Sequence, residues 1–108
     1  MKALSLIFLL CAVLPAHAAD DRAKFRAMCN SIASNTSAFA DERKKGYTKD
    51  QAKNNARQIA NQRELDASVL EAWYAEIEWV YKQANRRYGA AASQDRRFEE
   101  CMKQYEDR

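Results

Sequence analysis

The side chains in this chain that could do chemistry fall into three sets: cysteines, helix-borne carboxylates, and short runs of arginine and lysine. Cys29 and Cys101 stand near opposite ends of a helical stretch, each on the apolar face of its helix. Their chemistry is a disulfide tying the first helix to the last. It closes a loop of about 72 residues, for which the chain-entropy treatment gives roughly 4–5 kcal/mol. A third cysteine, Cys11, lies in an apolar run and follows Leu10, where a lipoprotein acceptor would follow a small residue. It is expected to leave with a leader segment.

What is missing narrows the chemistry further. The only histidine, His17, and the only proline, Pro15, fall in that leader. Past it there is no imidazole to act as general base, to form a Ser-His or Cys-His pair, or to complete a His-containing zinc site. Two cysteines cannot close a structural zinc site, no C-x-x-C occurs, and the two glycines, Gly46 and Gly89, are too far apart to form a phosphate loop. No catalytic, cofactor-binding or metal residues are therefore expected.

Three carboxylates on the third helix, Glu71, Glu76 and Glu78, leave one enzymatic alternative. Glu71 and Glu78 are seven apart and share a face, as an acid/base pair of a hydrolase would. The bland reading is a solvated face opposite the apolar stripe. Arg43-Lys44-Lys45, Arg86-Arg87 and Arg96-Arg97 could meet phosphate or an anionic surface, yet two of these runs fall at helix C-termini, where cations are ordinary. Trp79 falls between Ala72 and Ala75, off the stripe. Either the third helix is covered on two sides, or Trp79 is an exposed anchor and a candidate partner contact. Tyr74 and Tyr81 lie at the stripe's edge and read as part of the core.

The elements that must hold these residues are all helical. Phe25, Cys29, Ile32, Thr36 and Phe39 recur at spacings of three and four, predicting a helix over 21–45 that Gly46 terminates. Asp20 and Asp21 suit its start. The Ser/Thr/Asn-rich stretch 30–37 invites a bend, because such side chains compete for backbone hydrogen bonds. Thr48 with Gln51 forms a capping box opening a second helix to about Gln62, with a thin apolar side of Ala52, Ala56, Ile59 and Ala60. Asp66 caps a third helix running to Tyr88, with Gly89 as terminator. That helix is the expected hydrophobic centre, with Leu70, Trp73, Ile77, Val80, Ala84 and Tyr88 along one stripe. A short connection over 90–94, with Ser93 as candidate N-cap, leads to a last helix carrying Phe98, Cys101, Met102 and Tyr105. Nothing alternates with period two over strand length. The expected fold is all-α, a small bundle of three to four helices stapled by one disulfide.

Residues 1–18 read as a secretory leader. Lys2 supplies the charge, Ala3 to Leu14 the apolar run, and Ala16-His17-Ala18 the cleavage site, so the mature chain would begin at Ala19. The run is too short for a bilayer core of ~30 Å, so no stable membrane span is expected. Cleavage would leave 90 of the 108 residues as a single helical domain with a net charge of +2. A domain of that size is marginal on its own core, which suits a disulfide in an oxidising compartment. Such a balanced charge points away from nucleic acid.

Cys29-x-x-Ile32-Ala33, Arg43-x-x-Gly46-Tyr47-Thr48, Val80-Tyr81 and Phe98-x-x-Cys101 together resemble a loose group of small, uncharacterised exported helical proteins of proteobacteria and their phages, which pair one N-terminal with one C-terminal cysteine. The chain departs from that pattern in reading Asp41-Glu42-Arg43 before the glycine segment, and Lys82 to Arg87 where a proline often follows the Val-Tyr pair. The resemblance implies export, helices and the same cysteine pairing, and brings no activity. The resulting expectation is a non-enzymatic binding or interaction protein of the periplasm, or a secreted one, with a protein partner in the cell envelope. The alternatives are a small envelope hydrolase using carboxylates and a self-associating, chaperone-like protein.

Overall fold

The computed structural model describes residues 2–107, with side chains described over 21–107. Four α-helices and one 3₁₀ turn make up the described chain: α1 (Lys2–Lys44), α2 (Lys49–Gln62), α3 (Ala67–Tyr81), the 3₁₀ turn Gln83–Asn85, and α4 (Ala90–Glu106). The fold is all-α, and Cys29 is joined to Cys101 with their Cα atoms 5.6 Å apart. The side chains of the leader segment, and the Ala18/Ala19 junction with them, lie outside the described residues.

Each turn has a local cause. Gly46, at φ +98°, ends α1 in a Schellman turn: Tyr47 N–H donates to Glu42 C=O (3.1 Å) and Gly46 N–H to Arg43 C=O (3.0 Å). Thr48 then opens α2 with both arms of the capping box formed, Gln51 N–H to Thr48 Oγ1 at 3.1 Å and Thr48 N–H to Gln51 Oε1 at 2.8 Å. The α2 terminus repeats the Schellman geometry without glycine. Glu64 sits at φ 53°, with Leu65 N–H on Ala60 C=O and Glu64 N–H on Asn61 C=O. Asp66 stands at the N-cap of α3 in extended conformation, but its side chain makes no cap hydrogen bond.

The sequence periodicity runs on past the true end of α3. The helix stops at Tyr81, because Lys82 turns extended (φ −60°, ψ 140°). A helix end leaves four carbonyls without partners. Here all four are answered. Lys82 N–H donates to Glu78 C=O, Asn85 Nδ2 to Trp79 C=O (2.8 Å), Arg43 to Val80 C=O, and Arg86 Nε to Tyr81 C=O (3.3 Å). Arg43 also donates to the carbonyls of Asn85 and Tyr88, so one α1 guanidinium gathers the α3–α4 connection. Gly89 accordingly does not terminate α3. It is the N-cap of α4, which begins at Ala90, so 90–94 is helix rather than connection. Ser93 is buried inside that helix, its hydroxyl donating to Tyr88 C=O at 3.3 Å.

The helices run up, down, up and down. Contacts of Thr36 with Glu76 and of Arg43 with Val80 set α1 and α3 parallel; contacts of Tyr47 with Tyr81 and of Lys53 with Tyr74 set α2 antiparallel to α3. The disulfide and the reach of Arg43 to Tyr88 set α4 antiparallel to α1. The hub is α1, which packs on α4, α3 and α2, rather than the more hydrophobic α3. It passes unbroken through 30–37. There Thr36 is fully buried, its hydroxyl 2.8 Å from Ile32 C=O on its own helix and within hydrogen-bond reach of Glu76 on α3.

The core comes in two parts. The larger joins Phe39 and Ala40 of α1, Ala52 and Ala56 of α2, and Ile77, Trp79 and Val80 of α3. Alanines on α2 let it lie close against its neighbours. The smaller contains Cys29, Cys101 and Met102, with Phe25, Ile32 and Phe98 against them, and draws only on α1 and α4. The disulfide therefore fastens the two-helix part of the molecule, where apolar burial is least.

Candidate binding surface

Between the two cores lies a buried polar junction. Glu76, 5 % exposed, receives Arg97 Nε at 2.6 Å on one oxygen and the Arg97 fork at 3.2 Å on the other. The Thr36 hydroxyl lies 2.8 Å from the same carboxylate. That hydroxyl has one proton and two acceptors in reach, Ile32 C=O and Glu76 Oε1, and the charged one is the stronger. Hydrogen bonding to Glu76 holds Arg97 more firmly protonated than usual. The solvated face expected for Glu76 is not adopted: Glu76 precedes Trp79 by three residues, and both occupy a second buried side of α3 facing α1 and α4.

Trp79 belongs to that second side. It is 8 % exposed, and its indole N–H donates to Glu100 Oε2 at 2.8 Å. Of the two alternatives for Trp79, coverage of α3 on both sides is the one adopted, and an indole so placed offers no exposed anchor to a partner. Cys29 and Cys101, 0 % and 2 % exposed, form a buried bond with no access for redox exchange. Tyr81 is half-buried, its hydroxyl donating to Tyr47 C=O, and Tyr74 is half-buried with Lys53 Nζ 5.6 Å from its ring centre.

The carboxylate alternative is not assembled as an acid/base pair. Glu71 is exposed. Glu78 bridges Lys53 (2.5 Å) and Lys49 (3.3 Å) across to α2, and the hydrogen bond from Lys53 first of all holds its carboxyl below the usual range. A hydrolase acid needs the opposite shift. One further acid, Glu42, is pushed up by burial; its Oε2 is enclosed without a partner, and it lines a hollow of about 220 Å³ with Phe39, Ile59 and Trp73. No group of three or more His, Cys, Asp or Glu among the described residues is arranged to hold a metal ion. No helix among them is long and apolar enough to cross a membrane.

The basic runs, by contrast, converge. The end of α1, the start of α2 and the α3–α4 connection meet around two adjoining concavities that share Arg43 and Arg86 as walls. One, of about 510 Å³, is completed by Gly46, Tyr47, Thr48, Lys49 and Tyr81. The other, of about 250 Å³, is completed by Lys44, Arg87, Tyr88 and Gly89. Two guanidiniums lie against the Tyr88 ring, Arg87 at 4.9 Å and Arg96 at 4.7 Å from its centre. Arg87 also donates to the Tyr88 hydroxyl (2.8 Å), which with Arg96 draws that phenol below its ordinary range.

The runs do not converge whole. Lys45 turns away to pair with Asp41, and Arg97 is spent on Glu76. Arg43 is consumed by backbone carbonyls, and burial lowers its affinity for the proton. Lys44, Arg86, Arg87 and Arg96 remain, and among the described residues none of the four has a carboxylate within ion-pair distance. Nothing in sequence spacing joins position 44 to 86 and 96; the up-down-up-down path does. Comparison with known proteins finds no matching family model, no matching curated protein and no matching solved structure.

Proposed function

We propose that this chain is an exported, non-enzymatic binding protein of the periplasm or cell exterior, and that its partner is a component of the cell envelope. The observation that carries the binding reading is the meeting of Lys44, Arg86 and Arg87 around one tyrosine-walled concave face, with Arg96 over the Tyr88 ring, all without acidic partners. A face left in that condition gains from an external anion, whereas Glu78 and Glu76 are already paired with Lys53 and Arg97 and Glu71 is left exposed without either beside it. Export is supported by the leader pattern in 1–18, and the disulfide is compatible with an oxidising compartment.

The test is an affinity capture from envelope extract with disulfide-intact protein, run beside an Arg86→Ala/Arg87→Ala variant. A component retained by the native chain and lost from the variant is expected. Retention that is identical for both, or none across several growth conditions, counts against the reading. So would peptidoglycan cleavage that vanishes in Glu78→Gln.

A further inference from the structure

We infer that the concave face beside Tyr88, walled by Lys44, Arg86 and Arg87 with Arg96 over the same tyrosine ring, is a binding site for a phosphate group. Both guanidiniums lie within 5 Å of one ring centre. They are therefore within a Debye length of each other, ~10 Å at 0.1 M salt, and repel. An ordinary helix-end role does not account for them. The carbonyls at the end of α3 are already satisfied by Lys82, Asn85, Arg43 and Arg86, and neither Arg87 nor Arg96 takes part. Arg86 gives only Nε to Tyr81 C=O, leaving the outer edge of its fork to the concavity.

The ligand class follows from donor geometry and charge. A guanidinium presents a planar fork that suits bidentate binding of oxyanions. A carboxylate offers two oxygens and one charge, enough for one such fork. A terminal phosphate offers three oxygens and nearly two charges, enough to bridge two forks with an ammonium beside them. The larger concavity, reached past the shared walls Arg43 and Arg86, adds Lys49 and the aromatic side of Tyr47 and Tyr81. A phosphate in the smaller hollow beside Tyr88 can thus carry an uncharged or sugar-like body into the larger one. A free phosphate compound and a phospholipid headgroup present the same chemistry here, and the experiment separates them.

The inference rests on the binding reading above. Calorimetric titration of the disulfide-intact protein with pyrophosphate, at low and moderate salt, would be paired with flotation on vesicles of phosphatidylglycerol and of phosphatidylcholine. One saturable pyrophosphate site is expected, weaker at higher salt, and weakened tenfold or more in Arg87→Gln/Arg96→Gln. Arg57→Gln/Lys103→Gln, which removes two cations elsewhere on the surface, should leave it unchanged. Flotation on phosphatidylglycerol alone, lost in the same Arg87/Arg96 variant, would make the source a lipid headgroup. Circular dichroism melts check that each variant is folded; because Arg87 and Arg96 are exposed, loss of folding is not expected. The inference is overturned by sulfate binding as tightly as pyrophosphate, by equal weakening in both double variants, or by no response to pyrophosphate or phosphatidylglycerol. An envelope component captured through this face with no phosphate response would overturn the ligand class and leave the binding reading standing.

Discussion

Glu76 and Arg97 show how a charge comes to be placed in a small core. Desolvating either alone is costly; together, with Thr36, both carboxylate oxygens are engaged, and by one edge of the guanidinium. Arg97→Ala strands the carboxylate, so urea denaturation should show a loss of about 3 kcal/mol. Replacing both by apolar residues of similar volume, Glu76→Met with Arg97→Leu, should recover most of it. Recovery would identify the pair as a device for specifying how α3 meets α4 rather than a source of net stability. Glu42 is the opposite case, a carboxyl with one enclosed oxygen that no hydrogen bond reaches. Burial raises its pKa above the ordinary 4.5, so the folded state prefers the protonated form. An acid raised in the folded state supports folding below its unfolded pKa and loses that support as pH rises through the folded one. Glu42→Gln should therefore stabilise the protein by roughly 1 kcal/mol at pH 7 and much less at pH 4, read as the difference in melting curves.

The ends of the elements decide more here than their middles. The Thr48–Gln51 box and the Gly46 turn were legible because each is a contact among residues within five positions. The end of α3 was not, because its cap comes from Arg43, some forty residues earlier, and from Asn85 beyond it. The apolar repeat that continues to Tyr88 belongs in part to a different element: Ala84 is exposed, and Tyr88 is half-buried with two arginines against its ring. Glu64 offers a test of end geometry by itself. A side chain at φ 53° pays a steric cost that glycine avoids. Glu64→Gly should raise stability by about 0.5–1 kcal/mol, measured by chemical denaturation, despite the greater freedom glycine gives the unfolded chain. If stability falls, the left-handed turn is not strained as its backbone angle implies.

At the scale of the whole molecule, the disulfide and the two-part core belong together. The part built from α1 and α4 alone buries Cys29, Cys101 and Met102 against three partly covered side chains, too little to hold two helices without a covalent tie. Removing the bond in Cys29→Ser/Cys101→Ser, which opens a 72-residue loop, should cost roughly 4–5 kcal/mol by the loop-entropy treatment. The loss should also be uneven. Hydrogen exchange should rise first over 25–33 and 98–105, while the amides of 52–60 and 76–80 stay protected longer. Uniform exchange would mean that the two cores open as one unit. The same crossing of α1 by the α3–α4 connection that closes the larger core also brings Lys44 to Arg86, Arg87 and Arg96, so the proposed site would outlast loss of the disulfide.

What the sequence by itself determined is the set of local and periodic features. These include helices at 3.6-residue period, the Gly46 and Thr48 signals, and two cysteines on apolar faces that met as a staple. Each depends on neighbours within a turn or on a face that any packing must bury. What only the tertiary structure decided are the contacts between helices. It buried Trp79 and Glu76 on a second side of α3, made α1 the hub, and gathered Lys44, Arg86, Arg87 and Arg96 about Tyr88 without an acid. The reason is physical: hydrophobic periodicity states that a face is covered, but not by which helix. A charge has no period at all, so its partner, or its lack of one, exists only once the chain has folded back on itself.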